Sequence, residues 1–414
     1  MPSETSADGA RSRPSRAGAF WPPVLFVLVL LLLRSIFLLG ACDPSQERVV
    51  ETLAEAQAVA DAVPGAPWPS GPERPLYDRE ELYCGTAAEA IRMELGVPLP
   101  LYRFMSYGGG SLLTALLAVP LYEIGGAHYL TFKILGLLVT LVGGLFWFLT
   151  VRSWLGERAG RWFALLYLFG PPLLVRTALI AKGDHPEAMA ILGVVAYLAT
   201  RAARSAPHRI TTGWAAASGL VAGLAVWVTY SIVPGLVGFG LAAWLRSRLR
   251  PLRLWAAFLA GLALGLVPWV LWVVRVPDAL ELYGEGLGAA AAAGEALARL
   301  RLLLQRGWMA GYELPGAGLR AMAGYVWLTM VLIGWVVLVR RRREPSALLL
   351  LSGTAVMLVA FLLGAPDASS RYLLPLYPLL LIAVLHVAIG NRRRAGAWRR
   401  RVAGGALLLL AAAG

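Results

Sequence analysis

The chain has 414 residues, 58% hydrophobic and only 15% charged, with a mean hydropathy of +0.66, against roughly 25% charged residues in a soluble domain. These values exclude a soluble architecture, and the 15 Trp, 14 Tyr and 12 Phe set among long aliphatic runs exclude disorder. The net charge of +14 lies in short clusters between apolar runs rather than over a folded surface, so it reports membrane topology and no nucleic-acid partner is expected. The expected fold class is all-α: a polytopic helical membrane bundle in contact with membrane lipid.

Residues 1–19 form an N-terminal tail carrying Arg11, Arg13 and Arg16, followed by an apolar run from Phe20 to about Ala41. The arginines place this tail in the cytoplasm. The run is longer than the apolar core of a signal peptide and contains Arg34, which favours an uncleaved first span. A first outer loop is expected over 42–128. It holds nearly all the acids, a proline-rich linker from Pro64 to Pro75, and a helix that opens at Asp78 and runs to about Leu95.

The stretch from Ser111 to Ile124 is apolar, but it is short, interrupted by Pro120 and closed by Glu123. Counting it as a crossing would move every later arginine cluster to the other side of the membrane. It is therefore expected to lie in the outer interface.

Further spans are expected at about 129–150, 162–180, 187–201, 213–230, 231–245, 254–276, 321–339, 346–364 and 372–390, with the start of a further, truncated one at 402–414. Their alternation puts Arg152 to Arg161, Arg201 to Arg209, Arg246 to Arg253, Arg340 to Arg343 and Arg392 to Arg401 all on the N-terminal side. The whole of 20–401 then reads as one multi-span membrane domain. Its remaining outer loops are about 181–186, 277–320 and 365–371. The second of these carries an amphipathic helix from Asp278 to Gln305, with Leu297, Leu300, Leu303 and Leu304 on one side and Arg299 elsewhere.

Four outer-loop segments carry groups capable of chemistry. In Tyr77 to Gly85, Asp78 with Glu81 three residues on has the spacing of a helix cap, while Asp78, Glu80 and Glu81 also supply carboxylates next to Tyr83. The short connection Ala181 to Glu187 crowds Lys182, Asp184, His185 and Glu187 into one turn, which suits a charged headgroup or a cation but matches no specific metal spacing. Arg371 and Tyr372 stand at the mouth of a late span, where a membrane anchor and a phosphate partner fit equally well. Tyr107 to Ser111 contains three glycines that either give a flexible entry or cradle a phosphate. The two cysteines, Cys42 and Cys84, share the first outer loop, where an oxidising compartment would permit a bridge.

In order and sidedness these features resemble the GT-C class of polytopic glycosyltransferases, the group that includes protein O-mannosyltransferases, aminoarabinose transferases and rhizobial lipopolysaccharide transferases. The resemblance covers about 20–390. It rests on the first span, the Asp78, Glu80, Glu81, Tyr83 helix, the interfacial helix from Gly108 to Tyr122, the turn Gly183 to Glu187, and Arg371 to Pro375.

It implies transfer of a sugar from a polyprenyl-phosphate donor to a hydroxyl of a glycan, lipid or protein, with inversion, at the outer face of a bacterial inner membrane. Carried over, Asp78 is the general base with Glu81 as the nearest alternative, because Arg79 interrupts the adjacent Asp-Glu of the family. Asp184 is the second catalytic acid, and Glu80, Tyr83, Lys182, His185, Glu187, Arg371 and Tyr372 bind substrate. No cofactor is required, and a divalent cation remains open. A transporter or lipid flippase is the alternative, although its ionisable groups would sit near the bilayer midplane, where this chain offers only Arg34 and Lys133.

Overall fold

The computed structural model describes residues 22–33, 79–93, 109–177, 179–204, 211–246, 252–275, 293–305, 312, 318–364, 370–389 and 397–413, all of them in helices or short connections. Arg34, Cys42, the proline-rich linker, Asp78, Tyr107, Gly108 and 278–292 lie outside the described residues.

In chain order the helices are α1 (Pro22–Leu33), α2 (Arg79–Arg92), α3 (Gly109–Gly125), α4 (Tyr129–Leu155), α5 (Glu157–Phe169), α6 (Pro172–Thr177), α7 (His185–Arg204), α8 (Thr212–Val228), α9 (Val233–Arg246), α10 (Leu252–Arg275), α11 (Ala293–Gln305), α12 (Gly318–Arg340), α13 (Pro345–Gly364), α14 (Tyr377–Ile389) and α15 (Ala397–Ala412). Two 3₁₀ turns, Tyr230–Ile232 and Ser370–Leu376, lead into α9 and α14. Five of the described segments are long and apolar enough to cross a membrane. The chain is a multi-pass integral membrane protein.

The bundle has two distinct ends. At one, α3 touches the turn before α7 and the end of α8, and the ring of His185 meets that of Tyr372. At the other lie the α4–α5 junction, where Arg152 Nε pairs with Glu157 Oε2 at 2.6 Å, the arginines closing α7, and the Arg340 to Arg343 turn between α12 and α13. The described arginine clusters thus share one end, as the alternation of spans requires.

Helix α3 lies across the first of these ends. Its first turn is pressed against Gly183, and its last residue, Gly125, accepts a hydrogen bond from Thr131 Oγ1 at 3.3 Å, in the first turn of α4. The same opening stretch of α4 carries Lys133, which reaches the 181 region through Glu81. A helix of 17 residues spans about 25 Å, and both termini of α3 meet the same end of the bundle, so it does not traverse it.

The expected span 162–180 is divided. Helix α5 stops at Phe169 because Gly170, Pro171 and Pro172 follow, and proline can neither donate to a preceding turn nor tolerate a helical residue before it. The short α6 and the non-helical 179–184 segment then complete the passage. Below them, Phe26 stacks on Phe148 with ring centroids 5.4 Å apart, and buried Trp147 donates to the Met189 carbonyl at 3.0 Å. Helix α14 is the most enclosed element, with Tyr377 to His386 buried without interruption.

Helices α8 and α10 run side by side through Gly219 and Gly223 on one and Gly261 and Gly265 on the other. A Cβ at Gly223 would come within 2.8 Å of the Gly265 Cα. Paired small residues four apart allow this approach of backbones in lipid. The opposite face of α10 exposes Leu259, Leu264, Val267, Leu271 and Val274, an apolar surface suited to hydrocarbon.

Helix α11 is the described part of the expected amphipathic helix. Leu303 is buried, but Leu297 is 67% exposed, and the buried side chain near it is Arg299, which donates to the Leu362 carbonyl at 3.2 Å. The last carbonyls of α13 lack helical partners, and a guanidinium satisfies one of them. Leu297 and Leu300 are left for the exposed side.

Candidate active site

The second helix sets the site. Beneath α2 and α3 a small core of Cys84, Ala87, Ala88, Ala115, Ala118, Tyr122 and Phe132 holds the two helices to each other and to α4. This packing turns Glu81 inward. Its Oε2 is paired with Lys133 Nζ on α4, and its Oε1 accepts from the Ala181 backbone N–H at 2.8 Å.

Ala181 opens the turn that carries the other candidates. Gly183 takes φ +85°, a left-handed conformation that disfavours any side chain, and the chain then enters α7. Asp184 Oδ1 accepts from the His185 N–H, and Asp184 Oδ2 lies 3.3 Å from His185 Nε2. The His185 ring stands edge-on to Tyr372 with centroids 4.7 Å apart, which joins two sequence-separated candidates. Glu187, in the first turn of α7, receives a long hydrogen bond of 3.4 Å from Thr114 Oγ1 on α3.

Glu81, Lys133, Lys182, Asp184, His185 and Glu187 are each no more than 7% exposed. Buried charges are stable only when paired or hydrogen-bonded, and here three carboxylates share the space with two ammonium groups and an imidazole; burial first, and then the Asp184 charge, push the Glu187 carboxyl up to about 7. Cys84 lies among them. Burial pushes its thiol well up, Glu187, Asp184 and Glu81 push it further, and only the Ser111 hydroxyl opposes the shift. Cys84 is a free thiol inside this core, which corrects the expected bridge to Cys42.

Gly109 and Gly110 are packed against Trp227 and Gly183, so their lack of side chains serves contact between segments. Among the described residues no group of three or more His, Cys, Asp or Glu is arranged to hold a metal.

Of the expected site residues, the structure brings together Glu81, Lys182, Asp184, His185, Glu187 and Tyr372. Glu80 and Tyr83 ride on α2 and Arg371 on the 3₁₀ turn before α14, with side chains outside those described. Sequence reasoning missed Lys133 as a site residue. Its signal was a lone cation in an otherwise apolar span. Thr114 gave no signal, since it reads as an ordinary helix-packing residue, and Cys84 was singled out only as a candidate bridge partner.

No protein-family model matches the sequence, and no curated protein matches it. Solved structures do. ArnT from Cupriavidus metallidurans in the apo state aligns with 95% of this chain at 18% identity and a TM-score of 0.60. The fold resembles that of ArnT, the GT-C fold. ArnT bound to undecaprenyl phosphate aligns with 93% of the chain, again at 18% identity and a TM-score of 0.60. The chain spans 62% of the apo ArnT chain and 63% of the lipid-bound one. In this GT-C fold the cluster around Glu81, Asp184 and Glu187 stands at one end of the bundle. The described charges do not form a file through its middle.

Proposed function

We propose that this chain is a glycosyltransferase that moves a sugar from a polyprenyl-phosphate donor to a hydroxyl of a glycan, lipid or protein acceptor. The observation that carries the reading is the buried cluster of carboxylates and lysines at one end of a GT-C fold. A similar fold in ArnT has been seen with undecaprenyl phosphate bound. The end that bears α2 and α3 faces outward from a bacterial inner membrane, with the arginine end in the cytoplasm, in keeping with the positive-inside rule.

In the reaction the acceptor oxygen attacks the anomeric carbon from the face opposite the phosphate. The new carbon–oxygen bond forms as the anomeric carbon–phosphate oxygen bond breaks, and the polyprenyl phosphate leaves with the electron pair. The hydroxyl proton passes to a carboxylate. Inversion follows from the opposed geometry.

Asp78 is assigned as that base. Both oxygens of Glu81 are engaged by Lys133 and by the Ala181 amide, which makes it a poorer proton acceptor than the residue that precedes the helix. Asp184 is the second acid and orients the acceptor. Glu80, Tyr83, Lys182, His185, Glu187, Arg371 and Tyr372 are assigned to binding the phosphate and sugar. Guanidinium and ammonium groups stabilise the charge that develops on the leaving phosphate.

The test is transfer of label from polyprenyl-phosphate-linked sugars in membranes containing the protein. Asp78→Asn retains helix-capping ability and removes the base, so it is expected to express at wild-type level and lose turnover by about a hundredfold or more. Asp184→Asn keeps an acceptor for the His185 N–H and should lose turnover similarly. No label transfer with any lipid-linked sugar from the host membrane would reject the enzyme reading. Normal transfer by both variants would reject the assigned carboxylates.

A further inference from the structure

We infer that Lys133 and Glu81 form a positioning strut for the site: the lysine on α4 fixes the Glu81 carboxylate, and Glu81 holds the turn that carries Asp184 and Glu187 by its Ala181 amide. The inference rests on the transferase reading and gives these two residues a part in it that touches no substrate.

Three segments distant in sequence converge on one carboxylate. Lys133 is 52 residues from Glu81, and Ala181 is 100 residues from it. The Lys133 and Glu81 side chains are both wholly enclosed, so the pair is no solvated ornament. An enclosed ion pair adds little stability over well-packed apolar residues of the same size. What it does supply is a fixed carboxylate orientation.

The turn needs such a hold. Over 179–184 the chain is not helical, and regular secondary structure does not place Asp184. Helix α4 grips this segment at two points one turn apart on the same face. One is Lys133, acting through Glu81. The other is Gly136, where a Cβ would come within 2.6 Å of the Leu179 carbonyl carbon and oxygen. From the other side Gly110 abuts Gly183. Asp184, His185 and Glu187 follow directly from this clamped stretch, so a shift of the Ala181 amide displaces them together.

The prediction separates positioning from bulk stability. In Lys133→Met with Glu81→Gln the two charges are removed together, and the glutamine carbonyl still accepts from Ala181. This double variant is expected to keep hydrogen-exchange protection across 181–184. In Lys133→Met with Glu81→Leu the acceptor is gone. It is expected to unfold near the wild-type temperature, to lose hydrogen-exchange protection across 181–184, and to lower kcat per folded molecule about a hundredfold with little change in KM for the lipid donor. A purely structural role would lower Tm and the yield of folded protein, and leave kcat alone.

If the Leu variant does not fold, Glu81→Asp carries the test. It keeps the charge and withdraws the carboxylate by one methylene, and is expected to lower kcat about tenfold. Wild-type kcat in the folded Leu variant, or in Glu81→Asp, overturns the strut. If the wild-type protein transfers no sugar, the function reading fails alone, and exchange at 181–184 still decides the strut. Equal protection in the Gln and Leu variants would reject it.

Discussion

The backbone of Gly110 lies directly against that of Gly183, so closely that a Cβ on Gly183 would stand 2.6 Å from the Gly110 carbonyl carbon. One glycine opens α3 and the other closes the turn before α7. Their contact sets how deeply α3 sits over the site. Gly110→Ala is expected to cost about 1–3 kcal/mol through overpacking. Gly183→Ala adds about 1–2 kcal/mol for a side chain in the left-handed region. Thermal unfolding of the detergent-solubilised protein measures both, and an unchanged Tm in either variant would contradict this packing.

Arg371 precedes Tyr372, whose ring meets His185, and this contact ties the 3₁₀ turn to the Asp184 turn. If the guanidinium holds the donor phosphate through two parallel hydrogen bonds, Arg371→Lys retains the charge and loses the fork. We expect kcat/KM for the lipid donor to fall by about tenfold or more, with Tm unchanged. A membrane anchor would tolerate the lysine, so unaltered kinetics would return Arg371 to that role.

Cys84 is enclosed among three carboxylates, and burial raises its thiol well above the ordinary range. A raised value keeps the thiol protonated through neutral and mildly alkaline pH, where only the thiolate reacts quickly. In a Cys42→Ser background, maleimide labelling at pH 8 is expected to be slow in the folded protein and complete after denaturation in detergent. Rapid labelling of the folded form would show that α2 is not seated on α3 as described.

The facing glycines of α8 and α10 offer a stability test away from the site. Gly223→Leu places a branched side chain where the Gly265 Cα stands, and is expected to cost about 1–3 kcal/mol. Turnover per folded molecule should stay near wild type. A large loss of kcat without loss of Tm would mean that α10 contributes to the reaction in a way its position does not suggest.

Much of this architecture was legible in the chain itself. The uniform apolar runs of α12 and α13 mark spans because hydropathy is summed over neighbouring residues. The arginine clusters fix parity because each lies beside a span. That the segment after Gly110 does not cross followed from the same parity, and α3 lies across the end of the bundle. The Lys182 to Glu187 turn also stood out, since four ionisable groups crowd one connection.

Other features could not be read from local pattern. The inward turn of Arg299 was not legible in α11, because the carbonyl of Leu362 that draws it belongs to a helix 63 residues away. The glycines at 109 and 110 looked like an open loop until Trp227 and Gly183 were seen filling the space beside them.

The sequence alone determined the multi-span helical class, the parity of the spans and the segments rich in reactive groups, because these depend on composition within one stretch of chain. Only the tertiary structure decided which charges meet. Glu81 reads as a helix-capping acid or a base from its neighbours, and its engagement by Lys133 and Ala181 arises from packing of segments 52 and 100 residues apart. A buried charge is governed by the partner that compensates it, and no local pattern names that partner.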